Sequence, residues 1–152
     1  MRALLQRVTE ASVEADRQVI GSIDRGVVTL LGVAAGDGPT DVRYVAEKIP
    51  HLRIFEDARG KFQHSLLETG GACLLISQFT LLANTRRGRR PDFLGAASPA
   101  DAAPLVHDVA EALRKAGVPV VEGRFGMRMQ VRLTNDGPVT ILLDSRDAGP
   151  RP

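Results

Sequence analysis

The stretch Val27-Val28-Thr29-Leu30-Leu31-Gly32-Val33 decides the fold. It is an almost continuous apolar run rich in β-branched residues, the pattern of a strand buried on both faces. Just before it, Asp24-Arg25-Gly26 reads as a turn, in which Gly26 can adopt positive φ at little cost. Upstream, Met1 to Val13 interleaves Leu5, Val8, Ala11 and Val13 with polar residues. Val19 to Ile23 follows a turn at Asp16-Arg17, so the expectation is a meander of three strands.

Downstream, the breaker cluster Gly36-Asp37-Gly38-Pro39 introduces a helix with Thr40 as N-cap and Asp41 in the first turn. Val42, Val45, Ala46 and Ile49 form one apolar stripe, and Pro50 ends or kinks the helix. Leu52 to Phe55 reads as a strand, and Leu74 to Phe79 as another, buried one. A second helix opens with Ser98 as N-cap, Pro99 in its first position and Asp101 three residues after the cap. Its stripe is Leu105, Val109, Leu113 and Ala116, and Gly117 stops it. Strands follow at Val118 to Glu122 and Met127 to Leu133, then a turn at Asn135-Asp136-Gly137-Pro138 and a last strand, Val139 to Leu143. The expected architecture is one α+β domain over residues 1–144. It is a largely antiparallel sheet or barrel of about eight strands covered by two main helices. The polar tail, residues 145–152, is expected to be disordered.

Composition narrows the chemistry mainly by exclusion. The chain has 152 residues, no Trp, one Tyr and five Phe, so its core must be aliphatic. A net charge of +2 describes no polycation, but Arg86, Arg87, Arg89 and Arg90 fall within five residues. Such a cluster pairs well with phosphate, although an ordinary solvated loop is the competing reading. A single cysteine suits a reducing compartment, and neither a secretory signal nor a membrane-length apolar run is visible. The expectation is a soluble cytoplasmic protein without membrane contact.

His51, His64 and His107 have no metal-ligand spacing, and no nucleophile elbow, Walker loop or G-x-G-x-x-G occurs. No metal or organic cofactor is therefore expected. Cys73, flanked by Ala72 and Leu74 on an apolar strand, is expected to be an inert thiol. Ser77 and Thr80 sit at a strand end, where function concentrates, but no base lies within three residues of either to activate a hydroxyl. From these features alone the chain is a soluble α+β domain with a polar strand end.

Two segments carry more. Ser77-Gln78-Phe79-Thr80-Leu81 and Asn135-Asp136-Gly137-Pro138-Val139-Thr140, at this separation in a chain of this length, resemble the signatures of the D-aminoacyl-tRNA deacylases. The resemblance runs through Gln6-Arg7-Val8, Arg53-Ile54-Phe55, Gly88-Arg89-Arg90-Pro91-Asp92-Phe93 and Gly123-Arg124-Phe125-Gly126, so it spans Met1 to about Leu143. Phe62-Gln63, Asp92 and Met127 depart from the family's usual pattern, which bears on pocket lining rather than on the assignment.

The resemblance implies a homodimer that hydrolyses the ester of D-aminoacyl-tRNA at its acceptor end, with no DNA partner. Gly137-Pro138 would form a cis peptide reaching the partner's pocket, with Asn135, Val139 and Thr140 around it and Arg7 bracing it. L side chains would be rejected by exclusion, while glycine would pass. Backbone N–H groups around Ser77, Gln78, Phe79 and Thr80 would stabilise the oxyanion, and the 2′-hydroxyl of the terminal adenosine would help to activate water. Phe125 and Met129 are candidate adenosine contacts, and Arg86, Arg87, Arg89 and Arg90 candidate phosphate contacts. Three alternatives remain at this point: an enzyme of the same fold acting on another mischarged residue, a small-ester hydrolase using Thr80 or Ser77, and a non-catalytic RNA-binding module.

Overall fold

The structure, a computed structural model, describes residues 1–148. Its spine is β1 (Arg2–Ala15), whose buried positions alternate through Ala3, Leu5, Ala11, Val13 and Ala15. On one edge β1 carries two partners end to end: β3 (Gly26–Gly32) opposite Arg2 to Val8, and β2 (Gln18–Ile23) opposite Ala11 to Ala15. The expected meander is thus corrected, because β3 returns to β1 rather than pairing with β2. A 14-residue strand is long enough to seat both.

Beyond β3 lie β6 (Ala72–Ser77) and then β7 (Val120–Glu122), both parallel to their neighbours. Parallel pairing requires crossovers. They bring α1 (Pro39–His51) and α3 (Pro99–Lys115) together in one core with Val27, Leu31, Cys73 and Leu75 of the sheet. A second core, including Val8, Val13, Val28, Leu74 and Ile76, fills the concave side. The sheet curls so far that a Cβ on Gly21 of β2 would lie 2.4 Å from Val121 Cγ1 of β7. The result is the expected α+β fold, a nearly closed barrel-like sheet with its helices outside, although the β3-β6-β7 side is parallel.

Several boundaries move. The first helix is capped at Gly38, with Pro39 in its first position, and not at Thr40. Proline's fixed φ suits that site, and the Asp41 carboxylate accepts the Gly38 N–H at 2.9 Å. The stripe of α1 is buried as expected, and the helix continues one residue past Pro50. In α3 the Ser98 cap is present, but the buried face is Ala102, Val106, Val109, Ala110 and Leu113, with Ala116 exposed. Leu52 to Phe55 reduces to β4 (Phe55–Glu56), which pairs with β5 (Phe62–His64). A short α2 (Leu66–Thr69), capped reciprocally by Ser65 and Glu68, was not expected.

The largest correction concerns the final strands. Met129–Asp144 is one continuous strand, β8, antiparallel to β1 along its whole length. Asn135 to Pro138 does not reverse the chain; it opens a bulge within β8. The expected tail also starts in order: Ser145–Asp147 form a 3-10 turn, and Ser145 is buried. Its hydroxyl accepts from the Met1 ammonium at 2.7 Å and donates to Asp41 at 2.6 Å. Residues 149–152 of that tail lie outside the described residues. No helix among those described is long and apolar enough to cross a membrane.

Candidate active site

The first half of the site forms where β6 ends. The expected strand through Phe79 stops at Ser77, because Gln78 bends away while its N–H donates to the Leu31 carbonyl at 2.7 Å. Phe79–Leu82 then wind into a 3-10 turn. The Phe79 and Thr80 N–H groups open that turn and have no acceptor within it. Packing with the Gly32 strand end is tight: a Cβ there would meet Leu82 Cδ2 at 2.5 Å and the Gln78 carbonyl oxygen at 2.9 Å.

Below this turn is a cavity of about 380 Å³, lined by Leu31, Val33, Ser77, Gln78, Phe79, Phe93, Ala96, Ala97, Pro99, Ala102, Val106, Phe125 and Gly126. Its volume is ordinary for a small organic group. None of these side chains is ionisable, and only Ser77 and Gln78 are polar. Phe79 meets Phe93 edge to face, with ring centroids 4.9 Å apart. Thr80 lines no part of the cavity; its exposed hydroxyl accepts a hydrogen bond from Gln78 Nε2. Phe125 stands in the wall. Met129 does not: it packs under the next turn, where its sulfur accepts the Arg124 N–H at 3.3 Å.

The second half is the bulge in β8. Gln6 pairs with Thr140 and Val8 with Asn135, so Arg7 alone faces residues 136–139. The Gly137-Pro138 peptide is cis, as the resemblance implied. Gly137 has φ +137°, and a Cβ on it would lie 2.7 Å from Val139 Cγ2. Asn135 spans the bulge, accepting the Val139 N–H at 2.7 Å and donating to Thr140 Oγ1 at 3.0 Å. Arg7 is buried and donates to the Asp136 carbonyl at 2.8 Å and the Ile54 carbonyl at 2.7 Å. Glu56 takes a third Arg7 bond at 3.2 Å, and the Phe62 ring covers the guanidinium at 5.6 Å. Gly137 and Pro138 themselves are exposed, held out on a rigid mount.

The two halves do not meet within this chain. Ser77 pairs with Leu31 and Leu31 with Ala3, while Arg7 lies further along β1. Four residues of strand alone separate them by about 13 Å.

The remaining candidates fall outside both halves. Asn84 and Asp92 exchange backbone hydrogen bonds at 2.8 and 3.1 Å, clamping the base of the arginine loop beside Phe93. Arg86, Arg87, Arg89 and Arg90 are exposed, and among the described residues no carboxylate pairs with them. Cys73 is fully buried and its thiol is pushed up to about 12 by burial, as an inert thiol requires. Ile54, Glu56, Phe62 and Phe93 had no assigned contact in the sequence. Arg53-Ile54-Phe55 and the Gly88–Phe93 segment were the nearest signals.

A family model described as D-Tyr-tRNA(Tyr) deacylase matches residues 4–144. A protein of Roseiflexus castenholzii named D-aminoacyl-tRNA deacylase is 57% identical, across 95% of this chain and 92% of its own length. A namesake from Thermus aquaticus is 52% identical, across 97% of both chains. Among solved structures, a protein titled c-Myc DNA Unwinding Element Binding Protein superposes with a TM-score of 0.90 at 39% identity, covering 95% of this chain and 98% of its own. A probable eukaryotic D-amino acid tRNA deacylase shares the fold, with a TM-score of 0.79 at 22% identity over 93% of this chain and 97% of its own. A match over nearly the whole chain, reaching both the Ser77 turn and the Gly137-Pro138 bulge, places this protein in the D-Tyr-tRNA(Tyr) deacylase family.

Proposed function

We propose that the chain hydrolyses the ester of D-aminoacyl-tRNA, releasing the D-amino acid and free tRNA, and that it does so as a homodimer. The observation that carries the reading is a cavity with no ionisable side chain, bordered by Phe79, whose backbone N–H has no acceptor within its turn. Such a site offers oxyanion stabilisation but no general base. The chemistry that suits it is one in which the substrate supplies its own activating group, the 2′-hydroxyl of the terminal adenosine. The Phe79 N–H, with that of Thr80 next to it in the turn, then faces the developing oxyanion, a contribution of about 3 to 4 kcal/mol for one such donor. Gln78 presents its amide beside them, and Phe79 and Phe125 form walls for the nucleoside.

The separation of the two halves supports the homodimer. Gly137-Pro138 is exposed, immobilised by Arg7 and Asn135, and remote from its own cavity. In a two-fold dimer each bulge enters the other protomer's cavity, where its carbonyls hold the substrate α-amino group. Bulk at the L position is excluded there, and glycine is admitted. The arginine loop supplies phosphate contacts without sequence choice. Aminoacyl-tRNA as substrate points to the cytoplasm.

The test is release of amino acid from D-Tyr-tRNA and L-Tyr-tRNA. Fast, D-selective release is expected. Equal release of both overturns the exclusion argument, and binding of tRNA without release returns the protein to a nucleic-acid-binding role.

A further inference from the structure

Beside the cavity lies a groove of about 240 Å³ to which the reading above gives no task. Ser77, Val106 and Phe125 line both, so the two spaces adjoin along those side chains. Arg124, just past β7, and Glu122 bring charge to its wall, and His107 of α3 lines it beside them. Glu122 is already paired, with Arg114 2.8 Å from its carboxylate. Arg124 is exposed and has no carboxylate partner among the described residues. Its backbone is fixed: the Gly123 N–H donates to the Leu75 carbonyl at 2.9 Å, and the Arg124 N–H to the Met129 sulfur at 3.3 Å. The groove therefore presents a guanidinium on an anchored turn, against the wall that carries Ser77.

We infer that this groove is a phosphate subsite, in which Arg124 binds the phosphodiester on the 5′ side of the RNA's terminal nucleoside. The inference rests on the deacylase reading and adds the contact that fixes the direction of the RNA. With the ester at the Ser77–Phe79 turn and the nucleoside in the cavity, one ribose separates the ester from that phosphate. The groove opens from the same Ser77 wall, whereas the residues of the arginine loop from Arg86 to Arg90 line neither space. A guanidinium is suited to the task because its parallel N–H bonds match two phosphate oxygens. The arginine loop is left for phosphates further along the strand.

The test compares adenosine with adenosine 5′-monophosphate as inhibitors of D-Tyr-tRNA hydrolysis. Wild type, Arg124→Ala and the double variant Arg86→Ala/Arg87→Ala are measured side by side. In wild type the monophosphate is expected to inhibit about tenfold better, the gain from one charge-assisted pairing. In Arg124→Ala the two compounds should inhibit equally, with adenosine itself as effective as before; a merely structural loss would weaken both. In the loop variant the tenfold advantage should persist. Equal inhibition in wild type, no inhibition by either compound, or an advantage that survives Arg124→Ala overturns the inference. So does an advantage lost only in the loop variant, which places the phosphate there. Absence of D-Tyr-tRNA hydrolysis by wild type defeats the deacylase reading instead, and calorimetric titration with the same two compounds then still decides whether Arg124 binds phosphate.

Discussion

Thr80 has the only hydroxyl in its turn, and its position separates two chemistries. As a nucleophile it would have to face the cavity and a base. It does neither: it accepts from Gln78 Nε2 outside the cavity lining. Thr80→Ala should therefore keep most of the rate of release from D-Tyr-tRNA, whereas loss of a true nucleophile costs about 10⁶-fold. Single-turnover release by a folded variant reads the difference, and a collapse of that size would restore the threonine mechanism. At this scale the sequence was legible where chemistry is local. Asn135 bonds Val139 and Thr140, and Gln78 bonds Thr80, all near neighbours in sequence. The Arg7 mount was legible only in part, because Ile54 and Glu56 reach it from 47 and 49 residues away, and no spacing rule encodes such a contact.

Elements were read well when their own periodicity or capping decided them. The stripe of α1 and the Ser98 cap of α3 are of that kind. The β8 bulge was misread because Asn-Asp-Gly-Pro has the same local chemistry in a turn as in a bulge. What decides is β1 beside it, which keeps pairing on both sides of Arg7. The same long-range control governs Gly26. The sequence offers it as a turn glycine, but its real constraint is the parallel contact of β3 with β6. A Cβ there would lie 1.9 Å from the Ala72 carbonyl oxygen, a backbone atom that cannot step aside. Gly26→Ala is expected to destabilise the protein by about 3 kcal/mol or more, through overpacking in a closed core. Urea unfolding gives the number, and a change under about 0.5 kcal/mol, the range of an ordinary surface substitution, would mean that β3 and β6 part easily.

At the scale of the whole molecule, what was least legible is where the halves of the site lie relative to each other. The two motifs announce themselves separately, but only the register of β1, β3 and β6 shows that the chain keeps them apart. Charge is distributed in a similar way. A net of +2 says little, yet four arginines on a clamped loop and Arg124 on its anchored turn carry no neutralising carboxylate among the described residues. Phosphate contacts release counterions, so each one steepens the fall of affinity with salt, by about 0.7 in the log–log slope for a single strand and 0.9 for a duplex. If Arg86 and Arg87 each neutralise one phosphate, replacing both by Ala should flatten the slope by about 1.4 to 1.8. D-Tyr-tRNA binding, measured under single-turnover conditions from 50 to 200 mM salt, supplies that slope. The rate of the bound complex should be unchanged, because the loop lines no part of the cavity. An unchanged slope would make the loop a solvated surface, whereas a flattened slope with a slower bound rate would mean that the clamp at Asn84 and Asp92 transmits the loss, through Phe93, to the cavity wall.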